Sequence, residues 1–155
     1  MWIPPEVKDP VLLHHPTRKS VGYFGAVRLR DGKFIAAREK EKFDAQTTWN
    51  FLRQLRKTSR RSGRRVVVII DNAKYHHAKL HFEWRQQQVP EFMLDFLPPY
   101  SPELNPIERV WKLVRRLVLH NHYFPELNEV CMAAENQFLA WATRSAVLVK
   151  LCNVI

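Results

Sequence analysis

The chain has 155 residues, 46% hydrophobic and 12% aromatic, enough for one globular domain with a core and too few for two comfortable ones. Its 25 Lys and Arg against 15 Asp and Glu leave a net charge of +10, which points first to a polyanion, nucleic acid above all, against the plainer reading of a solvated basic surface. Cys131 and Cys152 lie far apart without C-x-x-C or zinc spacing, which argues against a disulfide framework or structural zinc, and no apolar run approaches the ~20 residues of a membrane span.

Residues 1–19 are punctuated by prolines, and steps such as Asp9-Pro10 and His15-Pro16 favour extended backbone, so a loop is expected there. The opening "MWIPPEVKDP" has neither the basic nor the apolar region of a signal peptide, and reduced thiols fit a cytoplasmic protein. "SVGYFGAVRL" and "GKFIAAREK" flank Asp31-Gly32, a turn signal between two antiparallel strands. "FDAQTTWNFLRQLRKTSRR" follows with Asp44 as N-cap and Thr48, Phe51, Leu52 and Leu55 at helical spacing, the basic residues lying on another face.

"RRVVVIID" is β-branched without alternation, the pattern of a strand buried on both faces, and a preceding helix favours parallel pairing. A second helix is expected over "HHAKLHFEWRQQQ" and a short strand over "EFMLDFLP". After a proline arm, Pro106 suits the first position of a helix capped by Asn105, with Ile107, Val110, Trp111, Val114 and Leu117 as its buried stripe. A final helix begins near Pro125, with Leu127, Cys131, Ala134, Phe138 and Trp141 facing inward. The fold class is a mixed α/β sheet wrapped by helices.

Two carboxylates stand out. Asp71 follows what reads as a central strand, and in open α/β sheets ligands gather outside the carboxyl ends of strands. The alternative is that Asp71-Asn72 ends a strand and caps the next helix. Glu108 is the third residue of the helix after Asn105, a position suited to a capping box, and Lys112 one turn on offers an ordinary ion pair. What favours chemistry is its mount: Pro98, Pro99, Pro102 and Pro106 fix four φ angles, leaving the helix start little conformational freedom.

"DNAKYHHAK", followed after a strand by "LPPYSPELNPIERVWKLVRR", closely resembles the catalytic domain of bacterial insertion-sequence transposases in the mariner-like superfamily. These are DDE endonucleases with an RNase H-like fold, and "FGAVRLRDGKF" and "FDAQTTWNFLRQL" also fall where that family has them. The resemblance implies a transposase catalytic domain that cleaves DNA and transfers strands in DNA transposition, working on transposon ends and target DNA near the nucleoid. It places the second and third metal-binding carboxylates on Asp71 and Glu108, 108 − 71 = 37 positions apart. Mg²⁺ or Mn²⁺, two ions in the complete site, would be the cofactor, since clustered carboxylates suit hard cations held across a phosphodiester.

The family's first aspartate, on an apolar opening strand, has no good counterpart here. Asp31 belongs to a turn, Asp44 caps a helix, and Asp9 precedes a proline. The expectation is therefore one domain over residues 1–155, an RNase H-like mixed sheet lacking its first strand, without the family's upstream helix-turn-helix region. Such a sheet has an unpaired edge, and self-association or an upstream transposase fragment is an expected partner. The alternative function is a catalytically inactive remnant that binds DNA or a full-length transposase.

Asn72 is expected to shape the turn, and His76 matches the family's D-N-A-x-x-H histidine, with a polar residue in a first helical turn as the plain alternative. "HNH" over residues 120–122 reads as helix-end polarity. Arg53, Arg56, Lys57, Arg60, Arg64 and Arg65, together with Arg115 and Arg116, are the candidates for phosphate contact, against the alternative of a solvated basic face.

Overall fold

The computed structural model describes residues 21–153, so the expectations for the opening loop, Asp9 included, lie outside the described residues. Strands β1 (Gly22–Val27) and β2 (Phe34–Glu39) pair antiparallel, Val27 opposite Phe34. Gly32 supplies the turn's left-handed backbone at φ 71°, and Arg28 donates to the Asp31 carboxylate at 2.8 Å, holding that carboxyl down to about 2. Helix α1 (Ala45–Arg60) opens on Asp44, whose carboxylate accepts from the Thr47 N–H at 2.9 Å while the Thr47 hydroxyl takes the Asp44 N–H. Thr48, Phe51 and Leu52 form its buried side, as the spacing predicts.

Strand β3 (Val66–Ile70) pairs parallel with β4 (Phe92–Phe96), so parallel pairing holds. Burial on both faces does not: Val67 is 57% and Ile69 43% exposed. Among the described residues β4 is the one strand beside β3, and a strand with one neighbour keeps an edge open whatever its sequence. The connection between them also departs from expectation. Residues Lys74–His77 and Lys79–His81 form two 3₁₀ turns, and α2 is confined to Phe82–Gln88.

Helix α3 (Pro106–Val114) starts as expected, with Asn105 as cap and proline in the first turn. It then passes into a π-helical turn over Arg115–Leu119. A π turn inserts extra backbone per turn and shifts the phase of every later side chain. Val118 is consequently buried and Leu117 is 48% exposed, the reverse of a straight 3.6-residue stripe. Helix α4 (Leu127–Ala140) buries Cys131, Ala134 and Phe138, with Trp141 just beyond; a further helix, α5 (Ala146–Cys152), was not anticipated. Both cysteines are free and buried.

The architecture is thus mixed α/β, two small sheets and five α-helices among the described residues, compatible with an RNase H-like domain. The core gathers Phe34, Val110, Val114, Phe138, Trp141 and Leu148, so β1–β2 packs on α3, α4 and α5. Glu135 of α4 pins the hairpin, accepting from the Tyr23 hydroxyl at 2.9 Å and from Arg38 Nε at 2.6 Å. Burial, followed by Cys131 and Glu135 nearby, pushes the Tyr23 hydroxyl well above its ordinary value. No helix among the described residues is long and apolar enough to cross a membrane.

Two glycines separate local strain from packing. Gly32 faces the backbone of Ser145, whose N–H donates to Asp31 O at 2.9 Å, whereas Gly63, also left-handed at φ 61°, has open space around it. Gly63→Ala is expected to cost about 1 kcal/mol from backbone strain. Gly32→Ala is expected to cost distinctly more in chemical denaturation, because a methyl there also pushes α5 away; equal losses would show that the hairpin–α5 contact is soft.

Candidate active site

Asp71 follows the last residue of β3. Its Oδ1 accepts from the Ala73 N–H at 3.0 Å, closing the turn that the alternative reading foresaw, but the helical turn beyond has Ala73 as its cap and no side-chain capping bond. The carboxylate remains 54% exposed. His76, nearly buried, lies with Nδ1 at 2.8 Å from Asp71 Oδ1 and 3.0 Å from the Asp71 carbonyl. One imidazole N–H thus bridges the side chain and backbone of the same residue and fixes the carboxylate's rotamer. Asp71 Oδ2 has no hydrogen-bond partner among the described residues.

Asn72 works on both sides of the strand end. Its amide Nδ2 donates to the Leu97 carbonyl just past β4, and its Oδ1 meets His77 Nε2 at 2.9 Å. The His77 ring in turn stacks on Phe96, centroids 4.0 Å apart. The turn after β3 is therefore locked to the end of β4, where the proline arm begins.

Glu108 sits in the first turn of α3, half-buried. The capping box suggested by its position is not formed. Asn105 takes the Ile107 N–H on its side chain at 3.4 Å, and its own N–H goes to Pro102 O at 3.0 Å, inside a 3₁₀ turn over Pro102–Leu104. That turn satisfies the donor a capping glutamate would have served. Nor does Glu108 pair with Lys112: among the described residues its carboxylate has no hydrogen bond or ion pair.

A cavity of about 700 Å³ brings these groups together, with Asp71, His76, Asn105 and Glu108 all in its lining. Arg64 and Arg65 also reach it. The other basic candidates do not. Arg53 lies over the Trp49 ring at 4.9 Å, Arg56 donates to Gln88 at 3.0 Å, and Lys57 and Arg60 are exposed on α1. Arg115 and Arg116 are exposed on the π-helical turn. A shallower cavity of about 420 Å³ adjoins Asp71 on the side of Asn72, Ala73, Pro99 and Tyr100. Tyr100 is fully exposed, at φ 57°, between two proline pairs of the arm. The sequence analysis passed over Tyr100; its signal was an aromatic set among turn-forming residues next to the suspected site.

A mixed α/β domain with one carboxylate at a strand's carboxyl end and another at a helix start, both on one cavity, has the layout of a hydrolytic or phosphoryl-transfer site. The comparisons agree. The family model for DDE superfamily endonucleases matches residues 2–131, and the chain belongs to that family, whose members act on DNA and generally use divalent metals. An "Uncharacterized protein y4pE/y4sA" of Sinorhizobium fredii is 37% identical over 81 residues, 50% of this chain and 56% of that protein. An "Insertion element IS630 uncharacterized 39 kDa protein" of Shigella sonnei is 30% identical over 73 residues, 47% of this chain and 21% of that protein. The chain thus matches about half of the first relative's length and about a fifth of the second's.

His81 anchors the segment that carries His76. It is completely buried, with Nε2 at 2.9 Å from the Tyr75 carbonyl and Nδ1 buried without a partner, an arrangement that suits the neutral ring. Burial pushes its pKa below the ordinary value, against the hydrogen bond to Tyr75. The unfolded chain then binds the proton more readily, so stability is full above about pH 6.5 and falls as pH drops through that value. The denaturation midpoint is expected to drop between about pH 7 and pH 5, and His81→Gln is expected to lose most of that dependence. An unchanged profile in the variant would place the titration elsewhere.

Proposed function

We propose that this chain is a transposase catalytic domain for metal-dependent DNA cleavage and strand transfer, with Asp71 and Glu108 as its metal-binding carboxylates. The observation that carries the reading is the shared cavity, onto which both carboxylates open while Glu108 lacks any structural partner among the described residues. A carboxylate half-buried without a partner is costly to keep for stability alone.

The donor set fits a hard divalent cation. Two carboxylates beside open space match the preference of Mg²⁺ for oxygen ligands and retained water, and Asp71 keeps Oδ2 clear of protein partners among the described residues. Divalent ions bound there would supply the electrophilic chemistry of phosphodiester cleavage, activating water or a DNA 3′-hydroxyl and stabilising the departing oxygen. This chain's residues do the rest. His76 orients Asp71, Asn72 fixes the turn against β4, and the proline arm presents Glu108. Arg64 and Arg65 on the cavity, with Lys57 and Arg60 on α1, offer positive charge to the DNA backbone, and Tyr100 offers an unpaired base a stacking face.

The second reading, an inactive remnant that binds DNA or a full-length transposase, has one observation behind it. No three His, Cys, Asp or Glu side chains come together as a metal cluster among the described residues. The two readings separate on metal binding rather than on turnover. Mn²⁺ titrated into the chain and followed by its spin-resonance signal is expected to bind, and Asp71→Asn or Glu108→Gln to weaken binding by about tenfold or more. The denaturation midpoint should hold in Glu108→Gln, since Glu108 has no structural partner to lose. Binding unaltered in both variants would leave the remnant reading.

DNA contact has its own signature. Changing Lys57, Arg60, Arg64 and Arg65 to Ala is expected to flatten the slope of log affinity against log salt by roughly 0.9 per phosphate contact on duplex DNA. Tyr100→Ala should leave that slope alone and weaken single-strand binding by about 1–3 kcal/mol. A slope unmoved by the four substitutions would return them to a solvated face.

A further inference from the structure

The same cavity has a second character, independent of metal or catalysis. Residues 23–30 and residues 64–71 line it without a gap. Side chains alternate between the faces of a strand, so a cavity that meets every residue in turn is meeting a strand's edge. The pairing shows which edges these are. Val66 N–H donates to Glu91 O and Ile70 O accepts from Leu97 N–H, so residues 66, 68 and 70 turn their backbone groups to β4. Arg28 N–H donates to Lys33 O, which by alternation turns residues 22, 24 and 26 to β2. The backbone groups of Tyr23, Gly25 and Val27, and those of Val67 and Ile69, therefore point away from their ladders, with no strand paired to them among the described residues.

The walls are complete on both sides. Phe24 stacks on Phe51 of α1, centroids 5.3 Å apart, while at the neighbouring, opposite-facing Gly25 a Cβ would fall 2.5 Å from the Trp111 ring of α3. A strand covered on both faces wants a continuous apolar run rather than an alternating one. The exposed all-apolar β3 is half of such a pairing. Arg28, Arg30, Lys33, Arg64 and Arg65 in the lining outnumber Asp71 and Glu108, which favours acidic flanks on whatever enters.

We infer that the groove between β1 and β3 is a seat for one extended strand of another polypeptide, an apolar run of about five residues with acidic flanks that joins the two sheets into one. Residues 1–20 suit it poorly, because prolines 4, 5, 10 and 16 leave no run of five apolar residues. A second copy suits it poorly too, since the chain's own such run, Val66–Ile70, is engaged with β4.

Amide hydrogen exchange on the whole chain tests this, using a synthetic peptide with a central Val-Ile-Val-Val-Ile run between glutamates. With peptide, exchange at Tyr23, Gly25, Val27, Val67 and Ile69 is expected to slow by about tenfold or more, while Phe24 and Val68, already paired, stay unchanged. The same peptide N-methylated at alternate residues is expected not to bind, and Ile69→Pro, which removes an N–H that β4 does not use, to weaken binding. No slowing, or equal binding of the N-methylated peptide, overturns the inference. So do free-chain edge amides already as slow as Val68, whether light scattering then shows a monomer filled by its own residues or a dimer. Because exchange reads neither metal nor cleavage, failure here leaves the proposed function standing, and failure of that function leaves the groove.

Discussion

The hydrogen bond from the Asn72 side-chain amide to the Leu97 carbonyl joins the two ends that matter most. On one side of it β3 delivers Asp71; on the other β4 hands the chain to the proline arm that delivers Glu108. Carboxylates contributed by segments 37 positions apart in sequence share a cavity because this link, the Leu97 N–H to Ile70 O bond at 2.8 Å and the Pro102–Leu104 turn fix the path between them. Each device is local and inexpensive. Together they make a rigid span across a part of the molecule with little core of its own.

That economy contrasts with the other half of the fold. Phe34, Val110 and Leu148 are almost wholly excluded from solvent, and rings of Phe34, Trp111, Phe138 and Trp141 meet edge-on or tilted at 5.2–6.1 Å. Helix α3 belongs to both halves. Its interior packs in this core, and its first turn carries Glu108 to the cavity, so the catalytic candidate is mounted on the best-buried helix. Asp71 has the opposite setting, on a strand with an open edge, and His76 supplies the local order that the sheet does not.

Much of this was legible in the residues. The Asp31-Gly32 turn, the Asp44 cap, the parallel VVVII strand and the Asn105-Pro106 helix start each rest on local chemistry, and each formed. Local signals failed where a distant partner decided the outcome. The phase shift that exposes Leu117 arises from a π-helical turn, and the 3₁₀ turns before α2 from a backbone held by buried His81 and by His76; no periodicity encodes either. The burial expected of VVVII assumed a neighbour on both edges. Asp71 and Glu108 could be nominated from motif and resemblance, but the absence of the Glu108 capping box needed coordinates, because the competing acceptor is the Pro102 carbonyl. Tyr100 and the Tyr23–Glu135 contact were missed for the same reason.

The central claim is that Asp71 and Glu108 hold one divalent metal between them. Iron(II) substituted into the chain, with ascorbate and peroxide, generates radicals that cut the backbone next to the bound ion, and mapping the cuts reads the site without DNA or turnover. Cuts close to both Asp71 and Glu108, suppressed together by excess Mg²⁺ and by either Asp71→Asn or Glu108→Gln, are the expected result. Cuts near one carboxylate alone, or cuts that survive both substitutions, would contradict a shared site.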